Sequence, residues 1–183
     1  MKTEHALAKT LKEMMATHSL NDISVSELSK KCGISRKTFY YHYHDIYDLL
    51  TQVFLDEKIN NINNANNIDD LINIIWNYYE KNSKFIDATI NSAGKDLFSE
   101  FIYNAIYTTL IRFVNKIDNH KILNLSTKRN ITRFYAFAYS NSLVYYLASY
   151  KNRTLNGLKN CFTYIDRSSL ENSVLYAIER TKS

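Results

Sequence analysis

The 183-residue chain contains no proline, three glycines and two cysteines. Proline and glycine form the tight turns on which sandwiches and barrels depend, so their scarcity argues against an all-β fold. The glycine patterns of a Rossmann fold and of a P-loop are also absent. Cys32 and Cys161 have no zinc-binding spacing, which favours two reduced thiols and a chain that needs no metal and no cofactor.

Long apolar runs are missing as well. No uncharged apolar stretch is long enough to cross a membrane, and the charged N-terminus lacks the core of a signal peptide. We therefore expect a soluble, cytoplasmic protein without membrane contact. No Ser/His/Asp or Cys/His arrangement indicates catalysis, so we expect no catalytic residue and no enzyme. His42 and His44 are two positions apart, and on a helix they diverge too far to share a metal ion.

The net charge of +5 is unevenly distributed at the local level. Residues 1–58 hold eight bases and eight acids, so total charge does not distinguish this part of the chain. From Leu28 to His44, however, there is no acid, and four bases fall in this window, namely Lys30, Lys31, Arg36 and Lys37. Such a window is typical of a phosphate-binding surface. On charge alone, a solvated basic helix face is the favoured alternative.

Helical spacing of apolar residues dominates the N-terminal part. It predicts a first helix over 3–18, broken at 19–22. Ser24 and Glu27 have the spacing of a capping box, which predicts a second helix over 25–31 that ends at Gly33. Ser35 is the predicted cap of a third helix over 36–42, and Asp45 of a fourth. Residues 24–43 therefore read as a helix-turn-helix unit.

The stretch Cys32-Gly33-Ile34-Ser35 followed by Thr38-Phe39-Tyr40-Tyr41-His42-Tyr43 and the Leu49-Leu50 pair resembles the DNA-binding domain of TetR-type (TetR/AcrR) transcriptional regulators. The resemblance covers about the first 55 residues. Residues 44–49 are also similar to a low-GC bacterial branch in which some members regulate dihydroxyacetone kinase operons, one as an activator that works with a partner protein.

The resemblance implies roles for individual residues on double-stranded DNA. Arg36 and Lys37 match positions that vary with the operator sequence. Backbone phosphates are the expected targets of Thr38, Tyr40 and His42, and Tyr41 is expected to reach flanking phosphates. Ser26 matches a second-helix position that can reach the groove, while Phe39 and Tyr43 match core positions. Ile46 stands where the family usually has a phosphate-gripping lysine, which predicts weaker binding and a flatter salt dependence.

The remaining residues continue the helical spacing. The asparagine-rich residues 60–68 are predicted to be the frayed end of the fourth helix and a linker. Asp69 or Asp70 is expected to open a fifth helix, and Phe85, Ile86 and Ile90 suggest a sixth that ends near Gly94. Further helices are predicted over 96–117 and 127–150, near Leu158, and after Ser168. The predicted domains are 1–60, which binds DNA, and 61–183, an antiparallel helical domain for dimerisation and a possible effector.

The family forms a four-helix bundle across a dimer axis, so we expect an obligate homodimer on a palindromic operator. The expected function is that of a dimeric repressor modulated by a small molecule, with a transcriptional coactivator that binds a partner protein through its C-terminal domain as the alternative. Seven aromatic residues could line an effector pocket, although helical aromatics are more often plain core. They are Trp76, Tyr79, Tyr103, Tyr107, Phe134, Phe137 and Tyr145.

Overall fold

The structure, a computed structural model, describes residues 2–162 and 168–182, and every regular element in these ranges is helical. The elements are α1 (Lys2–Met15), α2 (Val25–Cys32), α3 (Arg36–His42), α4 (Ile46–Asp56), α5 (Ile68–Ile90), α6 (Lys95–Ile117), α7 (Leu125–Ser149), α8 (Leu155–Asn160) and α9 (Ser169–Lys182). Two 3-10 turns occur at Leu20–Asp22 and Ile62–Asn64. The prediction of an all-α fold with an N-terminal helix-turn-helix is confirmed. The uncertain segment 151–167 contains α8 as expected, while residues 163–167 lie outside the described ranges.

Two compact units divide the chain. The first contains the described residues up to Lys58 together with Tyr79–Phe101, and the second contains Ile59–Tyr78 with the described residues from Ile102 onward. Residues 79–101 thus cluster with the N-terminal helices, whereas the sequence assigned them to a domain that begins at residue 61. The functional division into a DNA-binding and a C-terminal domain stays a prediction.

The core of the first unit forms where α1 packs on α2 and α4. Leu7, Leu11 and Leu28 are completely buried, as their spacing predicts. Phe54 of α4 stacks on Phe85, with ring centroids 5.5 Å apart, and meets Phe98 at 6.1 Å. Burying each such side chain contributes about 1.5–3 kcal/mol, so this cluster fixes the frame on which the shorter α3 is mounted.

In the second unit, α7 packs on α9. The hydroxyl of Tyr135 donates to the carbonyl of Ser169 at 2.8 Å and can accept a hydrogen bond from the hydroxyl of Ser173, also at 2.8 Å. Burial, with smaller contributions from the charges of Tyr135 and Asp69, raises the pKa of the neighbouring Tyr139. One face of α7 is therefore committed to contacts inside the chain.

The loop between α6 and α7 is closed by a buried ion pair. Asp118 is 1% exposed and accepts the ammonium of Lys128 at 2.8 Å. Its carboxylate also accepts the amides of Ile122 at 2.8 Å and Leu123 at 3.1 Å. Burial alone would raise the pKa of Asp118, but the hydrogen bonds from Lys128 and the two amides, with the attraction of Lys128, outweigh it and lower the pKa. Asn115 accepts a further hydrogen bond from Lys128.

The asparagine-rich segment differs from its prediction. Helix α4 ends at Asp56, so residues 60–68 are not its frayed end. They form an ordered turn instead, in which Arg112 donates to the carbonyls of Ile62, Asn63 and Ala65. The guanidinium donates to three carbonyls of this turn, of which that of Ile62 also accepts the amide of Ala65, and this explains how a polar segment stays compact.

The boundaries of α5 also required correction. Neither Asp69 nor Asp70 opens this helix, because the side chain of Asn67 accepts the amide of Asp70 at 2.8 Å and so acts as the cap. The predicted sixth helix is the second half of α5, which continues to Ile90 across a kink at Asn82 with φ −120° and ψ 16°. Within the described ranges, no helix is long and apolar enough to span a membrane.

Candidate nucleic-acid interface

Local hydrogen bonds fix the start of α2 and the turn between α2 and α3. Ser24 accepts the amide of Glu27 at 3.2 Å, and the carboxylate of Glu27 accepts the amide of Ser24 at 3.3 Å, which completes the predicted capping box. The hydrogen bonds from the Ser24 side chain and then its backbone lower the pKa of Glu27. Gly33 has φ 68°, the left-handed conformation that ends α2, and Ser35 accepts the amide of Thr38 at 3.0 Å to begin α3.

Helix α3 is anchored by one side. Phe39 is completely buried and Tyr43 is 7% exposed, with their ring centroids 5.9 Å apart. Both residues occupy the core, as the sequence resemblance implies. Because α3 is only seven residues long, these two anchors fix its orientation, and four of its other side chains, those of Arg36, Lys37, Tyr40 and Tyr41, face solvent.

The side chains of the predicted DNA-contacting residues, which lie on α3 and on the neighbouring α2, are at least partly exposed to solvent. The side chains of Ser26, Arg36, Lys37, Tyr40 and Tyr41 are exposed, and those of Thr38 and His42 are partly exposed. Tyr41 is 85% exposed, an unusual value for a large aromatic side chain. The guanidinium of Arg36 lies over the ring of Tyr40, 5.9 Å from its centroid. Cations and aromatic rings thus form one surface on a rigid short helix.

Two neighbouring positions modify this surface. Ile46, at the position of the usual family lysine, is 7% exposed and belongs to the core, so it offers nothing to a phosphate. Glu4 of α1 forms an ion pair with His42, with 3.5 Å between Oε1 and Nδ1. No sequence pattern indicates this pair, because its residues are far apart in the chain and belong to different helices.

The structure contains two clefts in the first unit that the sequence did not indicate. One of about 390 Å³ lies beside Met14, Ile23 and Lys31. The other, of about 680 Å³, runs between α1 and α4, with Ala8 and Val53 among its lining residues. Neither cleft contains any of the seven predicted effector-pocket aromatics.

Those seven aromatics are dispersed. Trp76 and Tyr79 are buried, Tyr103 and Tyr107 are partly buried, and Phe134, Phe137 and Tyr145 are exposed. Tyr103 contacts Tyr107 and Phe137, with ring centroids 5.9 Å and 4.6 Å away. In a single chain, the three exposed side chains of α7 do not enclose a pocket, because 55–69% of each faces solvent. The helical spacing of these aromatic residues predicts a buried face, but it does not indicate which part of this chain or which second molecule would cover that face.

Comparison with known proteins places the C-terminal part in a family. Residues 66–154 match TetR_C_8, described as a transcriptional regulator C-terminal region. A segment of 86 residues is 27% identical to the HTH-type dhaKLM operon transcriptional activator DhaS of Lactococcus lactis subsp. lactis (strain IL1403). That segment covers 45% of this chain and 46% of the relative, less than half of its length.

A solved structure has a similar fold over a longer range. The dihydroxyacetone kinase operon activator DhaS superposes with a TM-score of 0.61 and covers 97% of both chains. The two chains are 20% identical, so this likeness concerns the fold. The matching family and the relatives are transcriptional regulators and not enzymes. They also agree with the low-GC branch that residues 44–49 indicate.

Proposed function

Since residues 66–154 match the C-terminal region of a transcriptional regulator family, we propose that this chain is a TetR-type regulator that binds a palindromic operator as a homodimer. The observation that carries the proposal is the surface of α3, where cationic and aromatic side chains are exposed around the buried Phe39. No acid interrupts this part of the sequence from Leu28 to His44. A short helix of this character fits the major groove of double-stranded DNA.

On DNA, the first turn of α3 would read bases and its end would hold the backbone. Arg36 and Lys37 are exposed at the start of the helix, where recognition helices contact base edges. Thr38, Tyr40, Tyr41 and His42 carry hydroxyl and imidazole donors suited to phosphate oxygens, with Ser26 approaching from α2. This division predicts that the first pair determines sequence preference and that the second set determines affinity.

Dimerisation is supported by the outer face of α7. Phe134, Phe137 and Tyr145 are 69%, 55% and 68% exposed, and the smaller Ala138 and Ala148 lie exposed between and beyond them. Spacings of three, four and seven residues place these side chains along one stripe of a helix. On α9, Leu175 and Tyr176 add 44% and 61% exposed apolar side chains. An apolar stripe of this length is typical of a protein–protein interface.

A two-fold dimer would also match the geometry of DNA. One recognition helix reads only a few base pairs, whereas two helices about 34 Å apart read both halves of a palindrome. The test uses static light scattering, with an expected mass of twice 21.5 kDa. Phe134→Asp should yield the monomer, while Leu55→Asp, a substitution of a 73% exposed residue on α4, should leave the dimer intact. A monomeric wild type would contradict the proposal.

The direction of regulation has two candidates. A repressor released by a small molecule is the function that the family resemblance favours. The relatives, however, are named activators, and this supports activation, including the coactivator that binds a partner protein through its C-terminal domain. The exposed aromatics of α7 support a protein partner more than a seven-aromatic ligand pocket, because three of the seven residues face solvent. A promoter reporter with and without the gene separates the two directions.

DNA binding itself is tested by selecting genomic fragments on purified protein at physiological salt. We expect retention of a palindromic site. Arg36→Ala and Lys37→Ala should each relax base preference, at a cost of about 1–3 kcal/mol for each lost bidentate contact. Lys116→Ala, which removes an exposed base on α6, is the matched control and should retain the same fragments. If neither α3 variant changes the selected sequences, α3 is not the reading helix.

A further inference from the structure

The exposed apolar stripe of α7 continues into two bases. Arg133 precedes Phe137 by four residues and Arg129 precedes Arg133 by four, a spacing that keeps side chains on neighbouring parts of one helix face. Both arginines are exposed. Helix α7 contains no acid, and its remaining base, Lys128, is occupied by the buried Asp118. The N-terminal half of this outer face is therefore positive.

The outer face of α9 has the opposite sign. Glu171 and Glu179 lie four residues before and four residues after Leu175, so the exposed leucine has an exposed carboxylate on each side along the helix. The two bases of α9, Arg180 and Lys182, belong to its last turn, where a cation interacts favourably with the helix dipole. The face around Leu175 therefore carries carboxylates, and the positive charge of α9 is confined to its end.

These charged side chains are not used for contacts within the described part of the chain. Across the ranges that the structure describes, no ion pair and no side-chain hydrogen bond involves Arg129, Arg133, Glu171 or Glu179. The helices that carry them nevertheless pack on each other through Tyr135. Exposed charges are ordinary on a protein surface, but these border apolar side chains that are themselves uncovered. They are therefore available to a second molecule.

A second copy of the chain offers both signs of charge at once. A two-fold interface brings the same two helices from each molecule together, so α7 can face either the other molecule's α7 or its α9. The first arrangement opposes arginine to arginine and glutamate to glutamate, which is unfavourable. The crossed arrangement opposes arginine to glutamate, and the two-fold axis produces that contact twice. Charge complementarity thus favours a second copy as the occupant of the apolar stripe, with the helices crossed.

We propose that Arg129 and Arg133 of one molecule pair with Glu171 and Glu179 of a second copy, and that these pairs determine which helices meet in the dimer. This pairing rests on the proposed function, because it requires a homodimer whose apolar centre is the stripe of α7. Ion pairs at the rim of an interface add little affinity, since water and salt screen them. They act on specificity, because a wrong partner or a wrong arrangement places like charges together.

The experiment reverses one set of charges at a time. The acidic variant combines Arg129→Glu with Arg133→Glu, and the basic variant combines Glu171→Arg with Glu179→Arg. Sedimentation equilibrium at low salt gives the dissociation constant of each dimer. We expect each variant alone to dimerise about tenfold or more weakly than the wild type, because every crossed pair then opposes like charges. An equimolar mixture of the two variants should recover the wild-type constant, since the mixed dimer contains only opposite charges.

Two further proteins complete the design. A chain with all four substitutions exchanges the two signs and should form a homodimer again. The matched control combines Lys81→Glu with Lys116→Glu, which reverses two exposed bases outside α7 and α9 and changes the net charge as much as the acidic variant does. This control should keep the wild-type dissociation constant. Circular dichroism checks that each variant retains its helices, and salt near 1 M should reduce the differences between the variants.

The outcomes separate the pairing from the dimer itself. If the acidic and basic variants each dimerise as tightly as the wild type, the charge pairing is overturned and the dimer stands. The pairing is equally overturned if both variants are weakened and their mixture is not restored, because the charges then do not meet across a crossed interface. A folded wild type that stays monomeric at micromolar concentration would instead refute the proposed homodimer, and the pairing with it.

Discussion

The buried ion pair between Asp118 and Lys128 allows the most quantitative test of the fold. The side chain of Asp118 has no exposed area, and that of Lys128 is 10% exposed. Removing one partner of a buried pair leaves an uncompensated charge and costs about 3–5 kcal/mol. We expect the lower part of this range for Asp118→Ala, because Lys128 keeps a hydrogen bond to Asn115 and some contact with water. Such a loss is a large fraction of a typical total stability of about 5–15 kcal/mol.

The assay is urea denaturation followed by circular dichroism, at one protein concentration because dimerisation would otherwise change the apparent stability. A double-mutant cycle with Asp118→Asn and Lys128→Met isolates the coupling, which should exceed about 1.5 kcal/mol. The control cycle uses Lys9 and Glu13, an exposed pair 3.9 Å apart on α1, and should give less than about 0.5 kcal/mol. Equal couplings in the two cycles would refute the reasoning from burial.

The same pair has a defined pH dependence. The folded protein lowers the pKa of Asp118, so the pair contributes its stability above the ordinary aspartate pKa of about 3.9 and loses it as pH falls through the lower folded value. The wild type should therefore lose stability in acid more steeply than Asp118→Asn. If both proteins have the same acid profile below about pH 4, the carboxylate is not responsible.

Two glycine substitutions test the backbone geometry. Gly157→Ala would place its Cβ against the hydroxyl of Tyr146, which forms hydrogen bonds with the backbone of Thr154. We expect this substitution to lower the free energy of unfolding by about 1–3 kcal/mol in the urea assay. Tyr146→Phe should lower it by about 1 kcal/mol. Equal stability of Gly157→Ala and wild type would exclude this close approach. Gly33→Ala has open space around it but φ 68°, so strain alone should cost about 1–2 kcal/mol, and Gly33→Asn should cost less in the same measurement.

The features that sequence reasoning predicted well are those determined within a few residues. The capping box of Ser24 and Glu27, the left-handed Gly33 and the cap at Ser35 each depend on groups at most four positions apart. Serine and glycine at these positions are typical of helix ends, so the local pattern alone predicts the turn. The burial of Phe39, by contrast, is implied by the family resemblance, and the structure places this side chain in the core.

The errors have a different origin, since they concern partners distant in the chain. The sequence of residues 60–68 does not indicate a folded turn. The turn depends on Arg112, 47 to 50 positions away, which donates hydrogen bonds to three of its carbonyls. The helical spacing of apolar residues is present on both sides of Asn82 but changes phase at the kink. The sequence therefore predicts two helices where the structure has one bent element, α5. The ion pair of Glu4 with His42 is equally invisible, because helical periodicity does not specify which helix lies opposite.

The aromatics of α7 show a further limit of periodicity, and they connect the fold to the proposed function. The spacing of Phe134, Phe137 and Tyr145 predicts a covered face, but it does not distinguish a cover within the chain from one supplied by a second molecule. The structure leaves this face largely exposed while α9 packs elsewhere on α7 through Tyr135. A second copy of the chain would cover it and would also provide the second recognition helix that a palindrome requires. Under the proposed function, the exposed Phe134, Phe137 and Tyr145 are therefore better explained as part of a dimer surface than as the lining of an effector pocket.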